Sequence, residues 1–287
     1  MKIAVLSGKG GTGKTLVSVN LAAAAKEAVF IDCDVEEPNG YLFFKPGDIV
    51  SEKVSVKIPY ADEKLCTGCR KCVEFCKYNA LAYIGNKLVV FDDVCHSCGG
   101  CVLLCPAKAL AERDKVIGEV QKGFSKDVTV ITGILNTGEA SGIPIIKRLP
   151  DNKNEGKDLT FIDCPPGSAC IVMESIRKAD YCLLVAEPTL FGVHNFNMVY
   201  DLVKLFAKPH GAVLNKCLEE ENPSEIFCKE KGIKILGRIP FAKELGTLNS
   251  EALISVRVNE KYREMFSGLL QTVIEEVQHE TTVNPQR

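Results

Sequence analysis

Tryptophan is absent from this chain of 287 residues, and histidine and methionine occur only four times each. Long apolar runs are missing too. None approaches the roughly 20 residues that span a bilayer, so no membrane insertion is expected. Four apolar residues separate Lys2 from Ser7, too few for a secretory signal, and a cytoplasmic location is expected. Neither sign of charge dominates. With 35 basic and 37 acidic side chains the formal net charge is −2, which leaves no electrostatic case for nucleic acid or an anionic membrane as partner. The chain is 46% hydrophobic and 25% charged, an ordinary globular balance with room for one sizeable domain and a small one. Cysteine breaks the pattern. Fourteen is a high count, and in a reducing compartment it points to metal rather than disulfides.

Eight of those cysteines lie between Cys66 and Cys105. Cys66, Cys69, Cys72 and Cys76 form a C-x₂-C-x₂-C-x₃-C run; Cys95, Cys98, Cys101 and Cys105 repeat it 29 residues later, followed by Pro106. The repeat continues beyond the thiols, since Asn79-Ala80-Leu81-Ala82 matches Lys108-Ala109-Leu110-Ala111 at the same offset. Three closely spaced thiolates can wrap one corner of a cubane, and the fourth must come from elsewhere. Four thiolates can also hold zinc, but two duplicated runs of this spacing favour iron–sulfur. The segment resembles a bacterial two-cluster [4Fe–4S] ferredoxin. That resemblance implies crossed ligation, with Cys66, Cys69, Cys72 and Cys105 on one cluster and Cys95, Cys98, Cys101 and Cys76 on the other. Lys77 departs from the motif, which usually has proline there. Leu88-Val89-Val90-Phe91 reads as a strand. The segment has too few apolar residues for a core of its own, so its clusters would supply much of its folding energy.

The other dense motif is Gly8-Lys9-Gly10-Gly11-Thr12-Gly13-Lys14-Thr15, which satisfies G-x-x-x-x-G-K-[ST]. Ile3 to Leu6 before it reads as a buried strand, and Thr15 to Lys26 after it as a helix. A strand, a glycine loop and a helix N-terminus in that order cradle a polyphosphate, because backbone N–H groups and the helix dipole both face the anion. Lys14 is then expected against the β- and γ-phosphates and the Thr15 hydroxyl on Mg²⁺. Further along, Ala28 to Ile31 is a second strand running into Asp32-Cys33-Asp34, at the end of the sheet where open α/β folds bind ligands. For Asp32, capping of a turn or helix is as good a reading as function. Leu159 to Ile162 runs into Asp163-Cys164-Pro165-Pro166-Gly167, a Walker-B arrangement in which Asp163 holds Mg²⁺ or its water shell.

Lys9 directly after the first glycine makes the loop similar to the deviant phosphate loop of the MinD/Mrp/nitrogenase-iron-protein family of ATPases. The resemblance implies that Lys9 reaches the nucleotide of a second subunit in a nucleotide-dependent homodimer. It implies that Asp34 positions the attacking water, and that Gly167 senses the γ-phosphate. It also implies that the loop Gly237-Arg238-Ile239-Pro240-Phe241, after a short strand, packs on adenine through Pro240. Of the two cysteines that bridge the nitrogenase iron protein dimer, only Cys170 has a counterpart here, seven residues after Asp163. As a free thiol it is expected to be a small buried residue at a helix start.

Val128 to Ile131, Tyr181 to Ala186 and Gly211 to Lys216 read as further strands, with a helix from about Gly192 to Phe206. Asn215 ends one strand, where an amide can read a base edge. Leu218 stands where a guanine-specific N-K-x-D motif has its aspartate, so adenine is preferred. Residues 35 to 60 read as loop-rich, with one short strand at Val54 to Ile58. Tyr262, Met265, Phe266, Leu269, Leu270, Val273, Ile274 and Val277 recur at helical spacing. The opposite face carries Glu275 and Glu276, so packing against the core is expected rather than membrane binding.

The expected fold is α/β, a parallel-sheet P-loop NTPase with helices on both faces, carrying an inserted α+β two-cluster ferredoxin-like domain. The ATPase is expected over residues 1–59 and 114–287, and the insert over 60–113. The cofactors implied are ATP or ADP, Mg²⁺ and two [4Fe–4S] clusters. The leading functional reading is an ATPase whose nucleotide state gates electron transfer through the clusters to a partner. The alternative is an Mrp-like iron–sulfur carrier or scaffold serving an acceptor protein. A MinD-like positioning ATPase ranks third.

Overall fold

In the computed structural model, which describes residues 1–25, 27–149 and 159–283, the apolar runs of the sequence become strands of one large sheet, except that Leu88 to Val90 joins a separate two-stranded sheet. In chain order the first half comprises β1 (Lys2–Leu6), α1 (Lys14–Ala24), β2 (Ala28–Asp32), α2 (Gly40–Phe44), β3 (Gly47–Ala61), α3 (Lys71–Phe75), β4 (Leu81–Ile84), β5 (Lys87–Val90) and α4 (Gly100–Leu103). There follow β6 (Leu110–Ser125), β7 (Val128–Leu135), α5 (Ile143–Arg148), β8 (Leu159–Asp163), α6 (Cys170–Ile176), β9 (Tyr181–Ala186) and α7 (Leu190–Leu205). The chain ends with β10 (His210–Cys217), α8 (Pro223–Lys231), β11 (Ile235–Pro240), α9 (Lys243–Ser250), α10 (Ser255–Val258) and α11 (Glu260–Val283).

The sheet order is β11-β10-β9-β1-β8-β2-β7-β6-β3, parallel from β11 to β7 and antiparallel across β6 and β3. Alternation along each strand feeds two cores. Ile3 and Val5 pack with α1 and α11 on one face, Ala4 and Leu6 with α6 and α7 on the other. Tyr262, Phe266, Val273 and Val277 of α11 are buried in the first of these, so the terminal helix is a core element as expected.

Two readings change. The segment before the cysteines is not loop-rich: the short strand expected at Val54–Ile58 is the middle of a 15-residue strand. The stretch Gly237–Pro240 lies within the last strand rather than in a loop after it. β3 and β6 pair along almost their whole length, through Tyr60 and Arg113 without interruption. Between Val54–Gly118 and Ser55–Val116 the register slips by one residue, a bulge at Ile117. Beyond it the ribbon runs past Leu135, the carboxyl end of β7. Bulges bend the strand that carries them, and here one stands where the ribbon leaves the sheet.

The cysteine-rich segment that the ribbon carries is two copies of one unit. The pairs Tyr60–Ala111 and Ala61–Leu110 recur 29 residues on as Val89–Ala82 and Val90–Leu81. Asp62 N–H donates to the Ala109 carbonyl, and Phe91 N–H to the Ala80 carbonyl. Left-handed backbone at Gly68, Arg70 and Asn79 is matched at Ser97, Gly99 and Lys108. Its core is small: Leu81, Cys101 and Leu110 are buried, packed against half-buried thiols and a few aliphatic side chains.

Candidate functional site

The carboxyl ends of β1, β2 and β8 bring the two aspartate motifs against the glycine loop. Gly8 and Gly13 are dictated by close approach. A Cβ on Gly8 would lie 2.1 Å from the Asn195 carbonyl oxygen, and one on Gly13, at φ +99°, 2.0 Å from the Asn215 amide nitrogen. The loop's carbonyls are tied from behind. Ser7 and Thr12 hydroxyls both donate to the Lys9 carbonyl, Lys216 Nζ to Gly11 (2.7 Å) and Asn215 Nδ2 to Thr12 (2.8 Å). A loop braced through its carbonyls leaves its N–H groups for an anion. Asn215, expected at a base edge, here makes one of these braces. Gly10 and Gly11 have open space beside them, and Pro240 ends β11.

Lys14 and Thr15 begin α1 and both meet Asp163. Lys14 Nζ lies 2.8 Å from Asp163 Oδ1, and Thr15 Oγ1 donates to Oδ2 at 2.8 Å. Asp163 is buried, and Oδ1 has no hydrogen-bond donor apart from the facing Lys14 ammonium. A hydroxyl and an under-satisfied carboxylate converging beside a lysine fit the hard oxygen donors that Mg²⁺ takes. Burial would lower the Lys14 pKa, but the charges of Asp163, Asp32 and Asp34 outweigh it and hold it above the usual lysine value.

Asp32 accepts N–H bonds from Asp34, Asn39 and Gly40, so it fixes the turn into α2. This is the capping role. Burial and the neighbouring Asp163 also push its carboxyl well above the usual range. Asp34 is half-buried, and burial raises its pKa to about 6 against the pull of Lys14. The Gly167 amide donates to the Ser7 carbonyl at φ +90°, which holds this glycine beside the loop.

Two charged residues with no assigned role complete the site. Glu187, at the end of β9, is paired with Lys9 at 2.5 Å and with Lys216 at 3.5 Å. The signal for Glu187 was present, an acid at the carboxyl end of a parallel strand, as at Asp32 and Asp163. Cys170 departs from expectation: it is exposed, because the first residue of α6 faces outward at the sheet's carboxyl end. Cys164 is fully buried, and burial pushes its thiol far up.

The eight clustered cysteines surround two cavities. One is lined by Cys76, Cys95, Cys98 and Cys101 with Tyr78 and His96 stacked beside it; the other by Cys66, Cys69, Cys72 and Cys105. Each cavity takes three thiols from one run and the fourth from the other. Backbone N–H groups point at the sulfurs, from Ala80 to Cys76, Ser97 to Cys95 and Ala109 to Cys105. Among the described residues no group of three or more His, Cys, Asp or Glu stands close enough to hold a single metal ion. Four soft thiols around each cavity, with N–H groups aimed at their sulfurs, are the kind of donor set that an iron–sulfur cluster takes.

Comparison with known proteins bears on both halves. The model of the CobQ/CobB/MinD/ParA nucleotide-binding domain matches residues 3–256. An uncharacterised protein of Methanocaldococcus jannaschii is 31% identical over 223 residues, 75% of this chain and 80% of that protein. An iron–sulfur cluster carrier protein of the same organism is 22% identical over 297 residues, 96% of this chain and 85% of its own. Among solved structures, the cell division ATPase MinD of Pyrococcus furiosus superposes with a TM-score of 0.60 at 18% identity, covering 96% of this chain and 98% of that one. The septum site-determining protein MinD of Pyrococcus horikoshii, complexed with Mg-ADP, gives 0.59 at 19% identity, with 95% of each chain covered.

Proposed function

Because the chain belongs to the CobQ/CobB/MinD/ParA nucleotide-binding family, we propose that it is an ATPase holding two [4Fe–4S] clusters, whose nucleotide state gates electron transfer to a partner protein. The observation that carries the reading is the pair of four-cysteine cavities at the end of a ribbon continuous with the nucleotide-binding sheet. In this reading Cys66, Cys69, Cys72 and Cys105 hold one cluster and Cys76, Cys95, Cys98 and Cys101 the other. The clusters supply one-electron chemistry when bound.

The rest is the chain's own work. The N–H groups of Gly10 to Thr15 bind the phosphates of ATP, and Lys14 neutralises them. Thr15 and Asp163 hold Mg²⁺. Asp34, with a pKa raised to about 6, is suited to orient and deprotonate water near neutral pH. Gly167 follows the γ-phosphate, and Pro240 bounds the base. The resemblance of the Lys9 loop to the deviant phosphate loops supports a nucleotide-dependent homodimer.

The relation to iron–sulfur cluster carrier proteins favours a second reading, in which the chain delivers a cluster to an acceptor. Exposed Cys170 would then be a labile thiol ligand near the site.

One experiment separates the two. The reconstituted protein, its iron and sulfide matching two four-iron clusters, is titrated by anaerobic EPR with ADP and then with a non-hydrolysable ATP analogue. The gating reading expects a midpoint shift of tens of millivolts, ~59 mV being tenfold in equilibrium for a one-electron couple. Identical titrations together with transfer of iron to an apo-acceptor would decide for the carrier.

A further inference from the structure

The charge opposite the phosphate loop is not all positive. Glu187 is buried beside it, 7% exposed, directly after β9. Its Oε1 accepts from the Thr189 hydroxyl at 3.1 Å and faces Lys9 Nζ at 2.5 Å, and its Oε2 faces Lys216 Nζ at 3.5 Å. Its backbone is fixed as well, the Ser224 hydroxyl donating to its carbonyl at 2.6 Å. The carboxylate is therefore held on several sides. Lys9 is the more exposed member of the pair, at 29%, with its ammonium 5.2 Å from the centre of the Phe191 ring.

Lys216 and Lys9 differ in what they do there. Lys216 also donates to the Gly11 carbonyl, so it braces the loop whether or not it keeps Glu187. For the ammonium of Lys9 the contacts are the Glu187 carboxylate and the Phe191 ring. For Lys9 to act on any phosphate, in its own subunit or another, that ion pair must open. Burial raises the Glu187 pKa, but the hydrogen bonds of Lys9 and Thr189 and the charges of both lysines lower it more, so the group is an anion at neutral pH.

We propose that Glu187 is a latch for Lys9, a positioning residue that holds the loop's second lysine away from the nucleotide until polyphosphate charge outcompetes the carboxylate. The inference rests on the nucleotide-binding reading and not on the clusters. Binding then exchanges one ion pair for another, and part of the phosphate attraction goes into opening the Lys9–Glu187 pair. The latch also makes the second lysine respond to how much negative charge arrives, so ATP releases it more completely than ADP.

The test is a double-mutant cycle on ATP and ADP binding by calorimetry, with wild type, Glu187→Gln, Lys9→Ala and the double variant. Glu187→Gln should tighten ATP about fivefold and ADP less, the scale of a partly exposed ion pair. In the Lys9→Ala background the same substitution should change little, a dependence that a merely structural role for Glu187 would not produce. Weaker or unchanged ATP binding by Glu187→Gln overturns the latch, and so does a gain that survives Lys9→Ala. Should the glutamine variant not fold, Glu187→Asp, which withdraws the charge from Lys9, must show a smaller gain of the same sign. Binding by wild type establishes the nucleotide reading independently; a wild type that binds no ATP overturns both.

Discussion

At the residue scale, Asp34 and Lys14 show how the site sets protonation before any ligand arrives. Burial raises the Asp34 carboxyl from its ordinary 3.8 to about 6 in the folded chain. Between those values the folded chain holds a proton that the unfolded chain has lost, so this group's contribution to stability falls as pH rises through that window and is flat above it. Asp34→Asn removes the dependence. Without nucleotide or Mg²⁺, the variant should gain stability relative to wild type between about pH 4 and pH 7.5, on the order of 1 kcal/mol once solvent screening of a half-exposed group is discounted. Urea unfolding at both pH values checks it, and an equal difference at each would refute the burial account. The same variant should hydrolyse ATP poorly. The meeting of Lys14 with Asp163 and the grouping of the eight cysteines were legible in the sequence, from the motif spacings and from an aspartate at the end of an apolar strand. The pairing of Glu187 with Lys9 and the bracing role of Asn215 were not, because Lys9 and Thr12 are distant from them in sequence and meet them only through the crossover order of β1, β9 and β10.

Elements built on a buried core were readable for a different reason: burial imposes a period. β1, β8 and β9 are apolar because helices cover both faces. In the outer part of the β3–β6 ribbon burial is confined to few residues, Ile58, Pro59 and Leu110 among them. After buried Leu110, β6 runs through Ala111-Glu112-Arg113-Asp114, all exposed, and that stretch carries no apolar alternation to read. Its existence depends on pairing rather than on burial. Gly118 is the point where that pairing meets the sheet: a Cβ there would lie 2.1 Å from the Ile134 carbonyl oxygen of β7. Gly118→Ala must therefore push β6 away from β7, an overpacking cost of about 1–3 kcal/mol. Denaturant midpoints read the loss. A neutral Gly118→Ala would mean that the ribbon is not seated on β7 as described.

Across the whole molecule, the gating proposal needs a joint that feels both sites, and one lysine is placed as such a joint. Lys115 stands on the ribbon just beyond the Ile117 bulge. Its ammonium reaches Asp93 at 2.7 Å, two residues before Cys95, and Glu139 at 2.9 Å, in the loop after β7. Lys115 and Glu139 are largely buried, at 15% and 11% exposure. That loop is tied in turn to the nucleotide side. The Leu135 amide donates to the Val35 carbonyl, next to Asp34, and a Cβ on Gly142 would strike Val35 and approach Ile171 of α6. Movement of Asp34 on nucleotide exchange can thus reach Asp93 through Val35, the loop and Lys115. Spatial continuity alone does not establish coupling, so the prediction must separate the joint from the sites it joins. Lys115→Met keeps the aliphatic stem and removes the charge. The variant should retain its iron content and its affinity for ATP, since it touches neither a cysteine nor the phosphate loop. The midpoint shift between ADP and the ATP analogue should fall to less than half of the wild-type value. A full shift in Lys115→Met would place the coupling in the continuous β-strands themselves. A lost shift with both sites intact would locate it in one ion-paired side chain between them.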